Sequence, residues 1–304
     1  MIYVRTPATT ANMGPGFDCI GMAFQLHNEL WAEETDGGLV IENKRADMRV
    51  PSDERNMIYA SIRRFFQETG KPYPFAGLRL IQNDDIPKTR GLGSSAACIV
   101  SGLAAANALS GMGLPKEELA EMAAMIEGHP DNAVPAALGG LVVAATTEGA
   151  QLEYIRLDAS VMEADGLRFG VVVPDFPLST SAARKILPDE YTRADTVFNT
   201  SRAALMVAAV CTRAYDKLFT AMDDRLHQPY RRAQIPGMAE IFTAAREAGA
   251  KGVFLSGAGP AIVAVYDANE VRSGLMRCLR TLKEKWILLE LPPDMDGVQV
   301  TAMK

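Results

Sequence analysis

The stretch Pro87-Lys-Thr-Arg-Gly-Leu-Gly-Ser-Ser-Ala-Ala97 places two glycines and two serines between two very different segments. Before it, Phe75 to Gln82 has the partial alternation of a strand. After it, Ser94 to Leu109 is alanine-rich, apolar and free of proline, the pattern of a buried helix. A loop therefore turns into a helix at the glycines and serines. The first backbone N–H groups of a helix have no intrahelical partner, and together with the positive end of the helix dipole they attract anions. Gly91 and Gly93 remove side chains that would hold a phosphate away from that backbone, and Lys88 and Arg90 add positive charge beside it. Ser94 has a plainer reading as an N-cap. The convergence of two glycines, two serines and two cations favours a phosphate loop.

Two common nucleotide motifs do not fit. No Gly-x4-Gly-Lys-Ser/Thr occurs. Gly91-x-Gly93-x-x-Ala96 matches the loose dinucleotide fingerprint, but several residues separate it from the strand. Glu117 and Glu118, about twenty positions on, follow Pro115 as the first turn of a helix, not as the end of a second strand.

A chain of 304 residues suits two domains. Its composition, 48% apolar and 22% charged, is that of a globular protein, and a net charge of −6 argues against a nucleic-acid surface. No apolar run reaches a membrane span, and Met1 to Pro7 reads as a strand, without the regions of a signal peptide. Cys19, Cys98, Cys211 and Cys278 are scattered without a CxxC pair, which points to free thiols and a cytoplasmic setting. His27, His129 and His227 lack zinc-ligand spacing.

Along the chain, residues 1–6 read as a strand and Pro7 to Asp18, with two prolines and two glycines, as a shaped loop. Its polar members Thr9, Thr10, Asn12 and Asp18 are candidates to face a ligand, against the plainer reading of a structural turn. Strands are expected at 24–35 and 38–43, and an amphipathic helix at 56–67. A helix from Pro115 to Ile126 precedes Glu127-Gly-His-Pro-Asp-Asn132, which reads as an exposed turn carrying two acids, an imidazole and an amide. A short helix and a strand follow within 134–145, then strands near 151–157 and 167–173. Residues 178–226 read as mostly helical, with further helices at 237–247 and 270–285. Strands at 252–255, 261–266 and 286–291 complete the pattern, and Ser256 to Pro260 forms a second glycine-rich turn. A boundary near 160 divides the chain into 1–160 and 161–304 without a linker, so a site is expected in the groove between closely packed domains.

The segments Pro7–Asp18, Pro87–Ala97, Glu127–Asn132 and Leu255–Pro260, in this order, resemble the GHMP small-molecule kinases, and are most similar to the homoserine kinase branch. That branch has Pro-Ala-Thr-Ser-Ala-Asn-Leu-Gly-Pro-Gly-Phe-Asp, Arg-Gly-Leu-Gly-Ser-Ser-Ala and Glu-Gly-His-Pro-Asp-Asn. Here Thr10 stands for serine, Met13 for leucine, and Ala133-Val134 for valine-alanine, with no polar group lost. The resemblance implies an α+β, two-domain GHMP kinase fold. Its N-terminal domain would be like ribosomal protein S5 domain 2, with a left-handed βαβ crossover against the usual rule. Its C-terminal domain would be a ferredoxin-like α/β sandwich. It also implies transfer of the ATP γ-phosphate to the hydroxyl of L-homoserine, and by analogy a possible homodimer.

On that resemblance, the loop Pro87, Lys88, Thr89, Arg90, Gly91, Leu92, Gly93, Ser94, Ser95, Ala96 and Ala97 binds ATP, braced by Ser256, Gly257 and Gly259. Ser95 and a carboxylate hold Mg2+, with Glu127 preferred and Glu121 the alternative. Asp18 suits the substrate ammonium and Asn12 the neighbourhood of its hydroxyl, while Thr180, Arg184 and Arg231 form the carboxylate site. Asp131 acts as a base or only orients groups, Asn132 holds the γ-phosphate, and His129 adjoins the substrate. The rival readings are another GHMP kinase, such as a mevalonate kinase, and a catalytically silent ligand sensor on the same fold. Asp18 argues against the first and the retained Ser94, Ser95, Glu127 and Asp131 against the second.

Overall fold

In the computed structural model, which describes residues 1–45, 50–148 and 151–303, the chain begins with a long antiparallel pair, β1 (Ile2–Asn12) and β2 (Gly16–Thr35). The expected loop at Pro7–Asp18 is thus mostly strand, closed by a turn at 13–15. Proline is tolerated because the ladder slips its register between Pro7 and Ala8, a bulge where the missing N–H breaks no regular pairing. Then follow β3 (Gly38–Asn43), α1 (Met57–Glu68) and β4 (Gly77–Asp84), with β3 and β4 parallel as a crossover through a helix requires. Helices α2 (Ser94–Ser110), α3 (Lys116–Glu127) and α4 (Pro130–Leu138) lead to the hairpin β5 (Leu141–Thr146) and β6 (Leu152–Leu157).

The second half contains α5 (Ser160–Ala164), β7 (Arg168–Pro174), α6 (Thr180–Lys185), α7 (Arg193–Thr212), α8 (Leu218–Ala221), α9 (Gln228–Arg231) and α10 (Met238–Glu247). It ends with β8 (Gly252–Leu255), β9 (Ile262–Tyr266), α11 (Asn269–Leu279), β10 (Trp286–Glu290) and β11 (Gln299–Ala302). The region expected to be mostly helical from 178 to 226 holds α6, α7 and α8, interrupted at 186–192, and α11 stops at Leu279 rather than 285.

Two sheets result. One is ordered β11-β1-β2-β4-β3, with β5 also on β2 and β6 on β5, and the other is β10-β7-β9-β8. The second is fully antiparallel, with helices between its first two and last two strands in sequence, as in a ferredoxin-like sandwich. A cut at 160 separates the sheets with one exception. The tail re-enters the first sheet, where β11 pairs with β1, so residues 161–304 are not wholly the second domain. No helix among the described residues is long and apolar enough to cross a membrane, and all four cysteines are free, Cys211 exposed and the others half-buried.

Burial explains the layering. Helix α2 is apolar on all sides, because α1, α3, α4 and the sheet surround it; Val100 and Leu103 are fully buried against Ile62, Phe65 and Leu80. A second core lies between the sheets, where Phe24 meets Phe169 at 5.7 Å between ring centroids. A third packs α10 and α11 on the far face of the second sheet through Ile241, Leu275 and Trp286. The shared middle core joins the two halves firmly along the cleft that carries the site.

Candidate active site

A cavity of about 370 Å3 runs along that cleft. One wall is the start of α2. Its N-cap is Gly93, in the left-handed conformation at φ 66°, so Ser94 is the first helical residue and not the cap. No side chain caps this end, which leaves its N–H groups facing a ligand. The glycines serve packing as well as approach: a Cβ on Gly93 would fall 1.9 Å from Thr9 Oγ1, and one on Gly91 2.2 Å from Ser256 O. Leu92 is buried beneath the loop, while Ala96 and Ala97 are wholly buried in the core and only shape it.

The second glycine-rich turn braces the loop. Ser256 Oγ donates to Gly91 O at 2.5 Å, and Ala261 N to Arg90 O at 3.1 Å. Gly257 N donates to Ala11 O. Gly259 supports the turn itself, donating to Ser256 O. Thr10 and Ser256 share a hydroxyl contact, and Thr9 Oγ1 donates to Asn132 Oδ1 at 2.8 Å. Both threonines are fully buried, so they clasp the motifs together instead of facing a ligand.

The two cations beside the loop differ. Arg90 is spent on carbonyls, donating to Pro174 O, Asp175 O and Lys88 O, and burial pulls its pKa down. It ties the loop to the end of β7 and offers little to a phosphate. Lys88 lines the cavity with its ammonium 3.0 Å from the buried Asp84 carboxylate. Pro87 leads into this turn and Thr89 tops it at φ 54°, its carbonyl accepting from Leu178 N.

Glu127-Gly-His-Pro-Asp-Asn132 is not an exposed turn. Gly128 ends α3 in a left-handed C-cap, and Pro130 starts α4 at its first position. Punctuating two helices, the motif turns its polar groups inward. Ser95 Oγ donates to Glu127 Oε2 at 3.0 Å, so the two expected metal ligands stand together. Burial raises the Glu127 pKa, against the opposing pull of His129 and Ser95. Glu121 is exposed on α3 and lines a separate surface hollow with Met125 and Glu153. A hydroxyl and a partly desolvated carboxylate are hard oxygen donors, which fits a divalent cation at Ser95 and Glu127.

Asp131, 2% exposed, accepts from His129 Nδ1 at 2.6 Å and from Asn132 Nδ2 at 3.3 Å. Burial works against a charge on His129, but the hydrogen bond and charge of Asp131, with the charges of Asp18 and Glu127, raise its pKa overall. Atoms of Asp18, His129 and Asp131 lie within 4.8 Å of one another.

At the same end Arg184, from α6, grips Asp18 through two hydrogen bonds of 2.9 and 2.6 Å. Thr180 opens α6, exposed at the cavity edge. Arg231, from α9, is 1% exposed and donates to Ala183 O, Gly257 O and His227 Nδ1. Burial, then the charge of Arg184, lowers its pKa to about 10. Since arginine only donates, His227 carries its proton on Nε2 and gives it to Gly14 O, a neutral imidazole in keeping with its lowered pKa. Asn12 is also committed: its amide donates to Gly257 O and accepts from Asp18 N. It positions Asp18 and joins the two halves, and its side chain also lines the cavity.

Sequence reasoning missed the scaffold behind Arg231. Asp224, 4% exposed, accepts from Leu226, His227 and Gln228 N–H groups and from Asn199. Three of these partners lie two to four residues on, at the start of α9; the remote one is Asn199 on α7, which the sequence does not place beside it. Asp84, in the Asn-Asp-Asp end of β4, was equally silent.

An anion-binding helix start, a hydroxyl–carboxylate pair and a carboxylate–guanidinium pair in one cleft define a small-molecule phosphotransferase. The family model for the GHMP kinases N terminal domain matches residues 56–140, and that for GHMP kinases C terminal matches 206–279. The chain belongs to the GHMP kinase family. It is 45% identical to the homoserine kinase of Caldicellulosiruptor saccharolyticus, over 100% of this chain and 98% of that one. The crystal structure of homoserine kinase from Cytophaga hutchinsonii superposes with a TM-score of 0.85 at 26% identity, covering 99% of this chain and 97% of that one. The mevalonate kinase of L. major, at TM-score 0.71 and 17% identity over 96% and 95% of the chains, shares the fold.

Proposed function

We propose that this protein is a homoserine kinase, transferring the γ-phosphoryl group of ATP to the side-chain hydroxyl of L-homoserine and releasing ADP and O-phospho-L-homoserine, on the route to threonine. Its full-length similarity to proteins of that name supports the reading. The observation that carries it is the Asp18–Arg184 pair, with Arg231 behind, in the same cavity as Ser95 and Glu127. An α-amino acid presents an ammonium and a carboxylate on one carbon. A paired carboxylate and guanidinium complement that zwitterion, whereas mevalonate has no ammonium for Asp18.

Transfer through a loose transition state needs positioning and charge neutralisation more than covalent help. The open N–H groups at Gly93–Ser95 hold the phosphates, and Ser95 with Glu127 would hold Mg2+. When bound, that ion neutralises charge on the phosphate oxygens. Asp18 takes the substrate ammonium, and Arg184 and Arg231 take its carboxylate. With His129 and Asn132 fixing it, Asp131 orients the hydroxyl and receives its proton. Early proton removal is not required of it. Asn132, held by Thr9, faces the transferred group.

The test is 31P NMR of native protein with ATP, Mg2+ and L-homoserine. The expected result is loss of the γ-phosphate signal with growth of a phosphomonoester whose mass is that of phosphohomoserine. Inorganic phosphate and ADP without a phosphomonoester sink the reading.

A further inference from the structure

Phe17 lies between Gly16 and Asp18 and is not among the residues that line the cavity, yet it touches both arginines that face it. The Arg184 and Arg231 guanidinium carbons are each 5.5 Å from its ring centroid, inside the range of cation–π attraction. We propose that Phe17 is a positioning residue for the substrate carboxylate, its ring setting the two guanidiniums side by side so that both meet one anion. The proposal rests on the reading of the site given above.

Three observations support it. Arg184 and Arg231 come from different helices, α6 and α9, and carry like charge. Each lies within reach of the negative face of one aromatic ring, which offsets part of their repulsion before any substrate arrives. Next, successive side chains of a strand normally point to opposite faces. Asp18 departs from strand geometry with φ 55°, an uncommon conformation for a non-glycine residue, held by Asn12 Oδ1 accepting from its N–H. This turn lets neighbours Phe17 and Asp18 meet the same guanidinium, one through its ring and the other through its carboxylate. When Arg184 exchanges Asp18 for a substrate carboxylate, the ring contact remains. Finally, Phe17 lies 5.4 Å from the His227 imidazole at an interplanar angle of 32°, and that imidazole accepts from Arg231. Ring, imidazole and buried guanidinium form one block.

The test compares native protein, Phe17→Leu and Phe17→Tyr on two acceptors with ATP and Mg2+. One is L-homoserine; the other is 3-amino-1-propanol, the same chain without the carboxylate. Phe17→Leu is expected to raise KM for L-homoserine about five- to thirtyfold, from the loss of two cation–π contacts. Its KM for ATP and its kcat/KM for 3-amino-1-propanol should stay within about twofold of native, and Phe17→Tyr should restore KM for L-homoserine. An equal loss on both acceptors, or a raised KM for ATP, assigns Phe17 a general structural role and overturns the proposal. So does an unchanged KM for L-homoserine in Phe17→Leu. Native protein inactive on L-homoserine sinks the functional reading itself, and the proposal with it.

Discussion

Asp18 and Arg184, 166 positions apart in the chain, hold one another through two parallel hydrogen bonds at the substrate end of the cavity. Each satisfies its partner, and on the proposed function a ligand with both charges replaces the contact. The side chains are 32% and 38% exposed, so the pair itself contributes only about 0–1 kcal/mol to folding. Asp18→Asn should leave Tm nearly unchanged. It should lower kcat/KM for L-homoserine by roughly ten- to a thousandfold, with KM for ATP within a few-fold. Steady-state kinetics and a melting curve on one preparation check both halves.

The two arginines should separate. Arg184→Ala removes a half-exposed side chain and should raise KM for L-homoserine about ten- to hundredfold with little effect on stability. Arg231→Ala removes a buried one and strands the Ala183 carbonyl and an imidazole nitrogen, while Gly257 O keeps its bond from Asn12. It should destabilise the fold by roughly 2–4 kcal/mol as well as weaken the substrate. Urea unfolding of both variants distinguishes them; equal stability would contradict the buried network.

Glu127 has a raised pKa, first from burial, so its charge at neutral pH opposes folding in the metal-free protein. The sign is that of any group with a raised folded pKa: its favourable contribution is present below about 4.5 and is lost as pH rises through the folded value. Glu127→Gln should therefore raise the Tm of metal-free protein near neutrality, while shrinking the further rise caused by ATP with Mg2+. A variant with lower metal-free Tm and an undiminished ligand shift would remove Glu127 from the metal site.

Asp294 anchors the returning tail. Burial would raise its pKa, but His27 and the N–H groups of Asp296 and Gly297 outweigh this and lower it. A depressed carboxylate contributes stability above about pH 3.8 that is lost as pH falls through the folded value. Asp294→Asn should cost about 1–3 kcal/mol near neutrality, and the gap should narrow only below about 3.8. Urea midpoints from pH 7 downward test this; a gap that closes above pH 5 would contradict it.

Much of the site was legible because its residues also end and start elements. The alanine-rich run after Ser95 reads as helix whatever surrounds it. The same logic misled at Glu127–Asn132, where glycine and proline suggest an exposed turn. Gly128 and Pro130 instead end one helix and begin the next, burying Asp131 between them. Strand β11 was invisible because its four residues, three of them exposed, find their order only by pairing with β1 at the other end of the chain. Arg90 and Asn12 line the cavity and also donate to backbone carbonyls, a second duty that was not legible because a sequence shows a donor but not its acceptor.

The central claim is that Asp18 and the two arginines read an α-amino acid zwitterion. It is tested most directly by kcat/KM of the native protein for L-homoserine, N-acetyl-homoserine and mevalonate, followed by ADP release. The account predicts that L-homoserine exceeds each of the others by at least about tenfold, the loss expected for one unpaired charged contact. Mevalonate preferred over L-homoserine, or N-acetyl-homoserine turned over equally well, would contradict it.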